Sequence, residues 1–163
     1  MFFRTKKVKG IEYAYIVENK WKKSSQQKVK EYLGRVFRFE ILFENSFPNG
    51  NDLSNYLEHT DFSKIVKELV EWEFVRHKIP KDFYLDFENF KLQKSKKNVV
   101  VLINDGFMCG KTLKNLIEFQ IEGDEETDGY RLARAFVEAG IKVPNEIFVG
   151  LFGKLYKTKE QSK

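Results

Sequence analysis

The sequence predicts an α+β protein in which an N-terminal antiparallel β module of three or four strands, residues 1–44, precedes an α+β body, residues 45–163, with a second β-hairpin and a C-terminal helix pair. Three observations predict it. Apolar and aromatic residues alternate at period two as far as Phe43, the period becomes helical from Asp61, and Gly140 and Pro144 punctuate the last two apolar-periodic segments. A chain of 163 residues that is 42% hydrophobic and 15% aromatic can bury a core without disulfides.

Residues 2–18 read as a hairpin broken at Gly10, with Ile11, Tyr13, Tyr15 and Val17 alternating along its second strand. The polar stretch Asn19 to Gln27 reads as a loop. A third strand continues to Gly34, and a further one is expected from about Arg35 to Phe43, ahead of the turn residues between Asn45 and Asp52 that include Pro48 and Gly50. Leu53, Tyr56 and Leu57 suit a short helix. Phe62, Ile65, Val66, Leu69, Val70 and Glu73 follow helical spacing, with Asp61 as N-cap and Pro80 beyond the end. Phe83, Leu85 and Phe87 alternate with polar neighbours, and after the basic turn Lys94 to Lys97 comes the apolar run Val99 to Ile103, a second hairpin whose latter strand reads as buried on both faces. Helices are expected over Lys111–Phe119, Tyr130–Ala139 with Gly140 as its C-cap, and Asn145–Tyr156 after Pro144. Lys157 to Lys163 reads as a frayed tail.

Charge is distributed unevenly. Residues 1–38 hold eleven basic and three acidic side chains, a balance of +8, while the rest of the chain holds 18 basic and 21 acidic, a balance of −3. That asymmetry points to a polyanion for the N-terminal module. The candidate contacts are Arg4, Lys6, Lys7, Lys9, Lys20, Trp21, Lys22, Lys23, Lys28, Lys30 and Arg35. Strand spacing puts Arg4 and Lys6 on one face, and Lys28, Lys30 and Tyr32 on one face. Trp21, Tyr13 and Tyr15 have the chemistry to stack on bases. A small sheet must nevertheless cover one side, and Tyr13, Tyr15 and Val17 are expected to be that buried side.

Residues 9–36, KGIEYAYIVENKWKKSSQQKVKEYLGRV, place Lys9, Tyr13, Tyr15, Val17, Glu18, Gln27, Val29, Leu33, Gly34 and Arg35 in a pattern of basic strand, Tyr-x-Tyr-x-Val-Glu strand and strand ending Leu-Gly-Arg. This resembles the N-terminal β module of insertion-sequence DDE transposases, and is similar to a group of small archaeal proteins of unassigned activity that carry the segment without the transposase core. Ser24 and Ser25 stand where that pattern commonly has Gly-Lys, and the chain beyond residue 36 is too short and wrongly ordered for the catalytic core. The resemblance covers about a sixth of the chain and implies a DNA-binding module.

Enzyme signals are weaker. Gly106 and Gly110 are separated by three residues before Lys111 and Thr112, one fewer than a phosphate-cradling loop needs, and Asp105 stands where that loop requires glycine. Glu18 and Lys20 are a strand-borne pair of nuclease type, yet the first Asp in the chain is Asp52. The acidic residues between Glu122 and Asp128 lack the spacing of a calcium loop and better suit a helix N-terminus. His59 and His77 lie far apart, and the single cysteine, Cys109, is expected to be a buried structural thiol. No cofactor or metal is expected. The lone cysteine and the lysines of the first ten residues fit a cytoplasmic protein, and no apolar run is long enough to span a membrane as helix.

The last helix, with Ile147, Phe148, Val149, Leu151, Phe152 and Leu155, is too apolar for a recognition helix and suits core or a homodimer face. The expectation is a noncatalytic nucleic-acid-binding protein, DNA before RNA. The alternative is an interaction or assembly module whose basic sheet engages an acidic protein partner.

Overall fold

Strands β1 (Phe2–Val8) and β2 (Ile11–Lys22) are joined by the two-residue turn Lys9–Gly10, whose φ values of +48° and +79° make the primed turn that matches strand twist. The computed structural model describes residues 1–22, 24–48 and 52–160, without the side chains of Lys22, of residues 24–26 or of residues 158–160. Gly50 and residues 161–163 of the expected turn and tail lie outside the described residues. Strand β3 (Ser24–Arg38) runs back along β2, so the stretch expected to be a loop is mostly a two-stranded ribbon, Lys22 pairing with Ser24 and Asn19 with Gln27. Polar residues suffice for this because Asn19, Lys20, Trp21 and Gln27, which alternate between its two faces, are all exposed.

β3 ends at Arg38, five residues short of the expected strand end at Phe43. Beyond it Phe39 N–H donates to the Leu102 carbonyl, and the Leu42 and Phe43 N–H groups both donate to the Arg76 carbonyl. The chain then leaves the sheet for helices α1 (Leu53–His59) and α2 (Phe62–Arg76). Strands β4 (Phe83–Asp86), β5 (Lys91–Lys94), β6 (Lys97–Ile103) and β7 (Gly106–Met108) come next, then α3 (Gly110–Ile117), α4 (Glu125–Ala139) and α5 (Asn145–Glu160). The expected second hairpin is present and turns between Lys94 and Lys97, but its first strand is β5: β4 pairs with β5 and not with β6. The four residues of β5 include a single apolar side chain, Leu92, too little to signal a strand.

The sheet order is β1-β2-β3-β6-β5-β4, with β7 also on β6 and β3 parallel to β6. β6 is therefore central. Val99, Val101 and Ile103 face a core built with Leu69, Leu113, Leu132, Phe136 and Leu151, while Val100 faces a second cluster of Ala14, Ile16, Leu33, Val36 and Cys109. That second cluster lies inside a curl. Phe3 of β1 stacks on Phe107 of β7 at 5.1 Å, so the first strand of the sheet bends over to reach the strand beyond β6. Two bulges on β3, at Lys30 and Leu33, supply the coiling. Gly34 completes the bend, with φ at +128° and an added Cβ only 2.3 Å from the Asn98 carbonyl oxygen. The boundary expected at residues 44–45 falls between β3 and α1, and the sheet crosses it through the β3–β6 ladder.

α4 ends at Gly140, left-handed at φ +74° as a C-cap requires, but it begins at Glu125, one turn and more before the expected Tyr130. Asp128, in its first turn, is fully buried and accepts from the N–H groups of Glu122 and Gly123, from Arg131 Nη1 at 2.8 Å and from the Tyr156 hydroxyl at 2.9 Å. Burial pushes this carboxyl up, but the donors outweigh burial and hold it at about 2. An unfolded aspartate titrates near 3.9, so the stabilisation is complete above about pH 5 and is lost as pH falls toward about 2. Asp128→Asn is expected to lower the melting temperature at neutral pH and to flatten that part of the acid profile, checked by thermal melts between about pH 2 and pH 6. Parallel profiles for the two proteins would show that Asp128 carries none of the acid dependence.

Candidate functional site

The residues expected to meet a polyanion divide between the two faces of β1–β3. β1 and β2 pair without interruption, so Arg4 lies opposite Tyr15 and Lys6 opposite Tyr13 on one face, while Lys7 lies opposite Glu12 on the other. On β3 the two bulges invert the parity. Tyr32 pairs with Tyr15 and Arg35 with Tyr13, whereas Lys28 pairs with Glu18 and Lys30 makes an ion pair with Glu18 at 3.1 Å. Lys28 and Lys30 therefore do not share a face with Tyr32. Period-two counting fails here because each bulge adds a residue that the partner strand lacks.

Of the three residues expected on the buried side of the little sheet, only Val17 is fully buried and Tyr13 and Tyr15 are half-buried, because the packed cluster lies on the other face. Ala14 and Ile16 point into the curl with Phe3, Leu33 and Val36, and Tyr13 and Tyr15 point outward. Val17 is buried, but on the tyrosine side, where Val29 and Arg4 flank it over a groove of about 390 Å³. Tyr32 tilts against both other rings, 6.1 Å from Tyr13 and 5.4 Å from Tyr15, and is itself 57% exposed. Partial burial and the two neighbouring phenols raise the Tyr32 pKa, so the ring stays neutral wherever the protein is folded near neutrality. Trp21 shares the strand parity of these tyrosines near the end of the ribbon and is 84% exposed, which takes it out of any core.

Acidic side chains are absent from this face. The only acidic residues of β1–β3 are Glu12, Glu18 and Glu31, and all three lie on the side of Ala14 and Ile16. There they hold cations: Arg38 grips Glu12 through two hydrogen bonds of 2.6 and 2.8 Å, Lys30 meets Glu18, and Lys111 meets Glu31 at 2.8 Å. The Arg38 guanidinium holds the Glu12 carboxyl at about 2, so that pair stays charged and internally satisfied. On the tyrosine face Arg4 donates to Gln27, the Arg35 guanidinium lies 4.7 Å above the Phe37 ring, and neither these two nor Lys6 has an ion-pair partner among the described residues.

The remaining candidates are peripheral to that cluster. Lys9 sits in the β1–β2 turn, Lys20 lies opposite Gln26 on the far face, Lys22 is described by its backbone alone, and Lys23 lies outside the described residues. Helix α5 uses most of its apolar side chains internally. Ile147 and Leu151 are in the core, Phe148, Phe152 and Leu155 pack against it, and Val149 points outward.

The sequence that imitates a phosphate loop folds as something else. Asn104 and Asp105, with φ of +47° and +63°, form the β6–β7 turn, Gly106 opens β7, and Cys109 N-caps α3, its N–H bonded to Thr112 Oγ1. Cys109 is buried, as expected, and burial raises its thiol pKa. No group of three His, Cys, Asp or Glu side chains suited to a metal converges among the described residues, and no helix among them is long and apolar enough to cross a membrane. Neither a protein-family model, nor a curated protein, nor a solved structure matches this chain.

Proposed function

We propose that the outward face of β1–β3 binds single-stranded nucleic acid without catalysis. The observation that carries this reading is the segregation of charge: Arg4, Lys6 and Arg35 surround three tyrosines on a face with no carboxylate, while every acidic residue of those strands lies on the other side. Cations without carboxylate partners suit phosphates, and exposed rings suit bases that have no pairing partner to compete for their faces. A duplex offers its bases only at their edges, so rings as exposed as Tyr32 and Trp21 favour a single strand. The resemblance of residues 9–36 to a transposase DNA-binding module is in keeping with this use and places DNA before RNA.

The test is a salt-resolved titration with single-stranded DNA, single-stranded RNA and duplex DNA. Three phosphate contacts should give log K against log salt a slope of about −2 on single strands. Trp21→Ala and Tyr32→Ala should each cost about 1–3 kcal/mol on single strands and much less on duplex, with the slope unchanged. The melting temperature of Trp21→Ala should match the parent, because that side chain is solvated, and that of Tyr32→Ala should fall only slightly, by the loss of two cross-strand ring contacts. A melting temperature lowered together with equal losses on every ligand would make the rings structural, and absence of binding at low salt would leave the acidic protein partner as the reading.

A further inference from the structure

Where β3 runs past the start of β6, its edge borders a notch of about 330 Å³ lined by Tyr32, Lys91, Lys111, Lys114 and Asn98, with Glu31 as the one carboxylate. β6 pairs with β3 only from Arg35 onward, opposite Val99. The notch is thus the gap left between the β3 edge, the β5–β6 hairpin and the start of α3. Three lysines against one glutamate make it cationic, and that glutamate is already engaged with Lys111. Lys91 and Lys114 are both exposed, Lys114 lying 3.8 Å from Glu118 in a loose pair. Tyr32 belongs to both places, since its ring meets Tyr13 and Tyr15 on the outward face and its residue also lines the notch.

We propose that the notch holds phosphate of the same strand that stacks on the tyrosines, so that the strand turns over the β3 edge at Tyr32 and meets Lys91 and Lys114. This rests on the reading of the outward face as a single-strand site. It extends the binding surface into the C-terminal body, to which the charge balance of the sequence assigned no role. Lys111 takes part indirectly, because Glu31 holds it until a stronger anion arrives.

The experiment titrates the full chain with an oligothymidylate of about 12 nucleotides, within the span a small β-domain covers, in unphosphorylated, 5′-phosphorylated and 3′-phosphorylated forms. With the notch occupied, about five phosphates in place of three should give the parent a slope of about −3.5, and Lys91→Ala plus Lys114→Ala should weaken binding roughly tenfold and bring that slope back to about −2. If the phosphate is terminal, one phosphorylated form binds tighter than the plain strand and the double variant erases that gain. If it is internal, the three forms bind alike and the variant weakens all of them. Glu31→Gln should tighten binding a few-fold, a gain that misfolding cannot imitate, since it removes the only carboxylate and frees Lys111. Parental affinity and slope in the double variant, with Tyr32→Ala still impaired, would overturn the notch and leave the outward face standing. A parent protein that binds no strand would overturn both.

Discussion

Replacing Glu73 with alanine is expected to cost about 3–5 kcal/mol of folding stability, the penalty of leaving the Arg76 guanidinium and several N–H donors buried without their acceptor. Glu73 lies on α2 with no exposed surface, and its carboxylate joins three parts of the chain. Oε1 accepts from the Lys142 N–H at 2.9 Å and from Arg76 Nη1 at 3.3 Å, and Oε2 accepts from Asn104 Nδ2 at 3.2 Å. His77 Nδ1 stands 2.9 Å from the Glu73 carbonyl oxygen and 3.3 Å from Oε2. Asn104 also donates to the Gly140 carbonyl, so one carboxylate fixes α2 against both the β6–β7 turn and the segment leaving α4. Chemical denaturation of the variant measures the loss, and a double-mutant cycle with Asn104→Ala separates the shared hydrogen bond from the rest. A loss below about 1 kcal/mol, typical of an exposed pair, would mean that water replaces the network.

That network was invisible in the sequence for a reason that applies to Asp128 as well. The partners of Glu73 lie up to 69 positions away, and those of Asp128 up to 28, so the place of Glu73 in the helical spacing of α2 and of Asp128 at an acidic helix start gave no sign of what either carboxylate binds. What the sequence did show was local chemistry. Alternation at Tyr13, Tyr15 and Val17 located β2, the spacing of Ile65, Val66, Leu69 and Val70 located α2, Gly140 located the end of α4, and the run Val99–Ile103 showed a strand buried on both faces. Alternation failed where it carried more weight than it could bear. Phe39, Ile41 and Phe43 keep the period, but after Phe39 the backbone turns from β6 and by Leu42 and Phe43 it bonds with α2. The bulges at Lys30 and Leu33 each shift the count by one, so simple alternation puts Lys28 and Lys30 on the wrong face. The candidate site was thus legible as a set of residues but not as a surface, because a surface depends on which side each residue takes and two bulges decide that.

The same division of faces sets the largest expected effect on binding. Arg4→Ala, Lys6→Ala and Arg35→Ala together should weaken single-strand binding by about a thousandfold, at roughly an order of magnitude for each charge-assisted hydrogen bond removed. The salt slope should fall by about 2, three phosphates at roughly 0.7 each. Lys28→Ala plus Lys30→Ala removes two-thirds as much charge from the same three strands, and a binding mode set by net charge alone would respond to both variants in proportion. The structure predicts otherwise. Lys30 is occupied by Glu18, and Lys28 lies opposite that glutamate on the face away from the tyrosines, so the pair should change affinity a few-fold at most and the slope hardly at all. Fluorescence anisotropy across a salt series resolves the two cases, with melting curves confirming that both variants fold. Equal losses in the two variants would reduce the site to a diffuse positive field, and a larger loss in Lys28→Ala plus Lys30→Ala would move the interface to the other side of the ribbon.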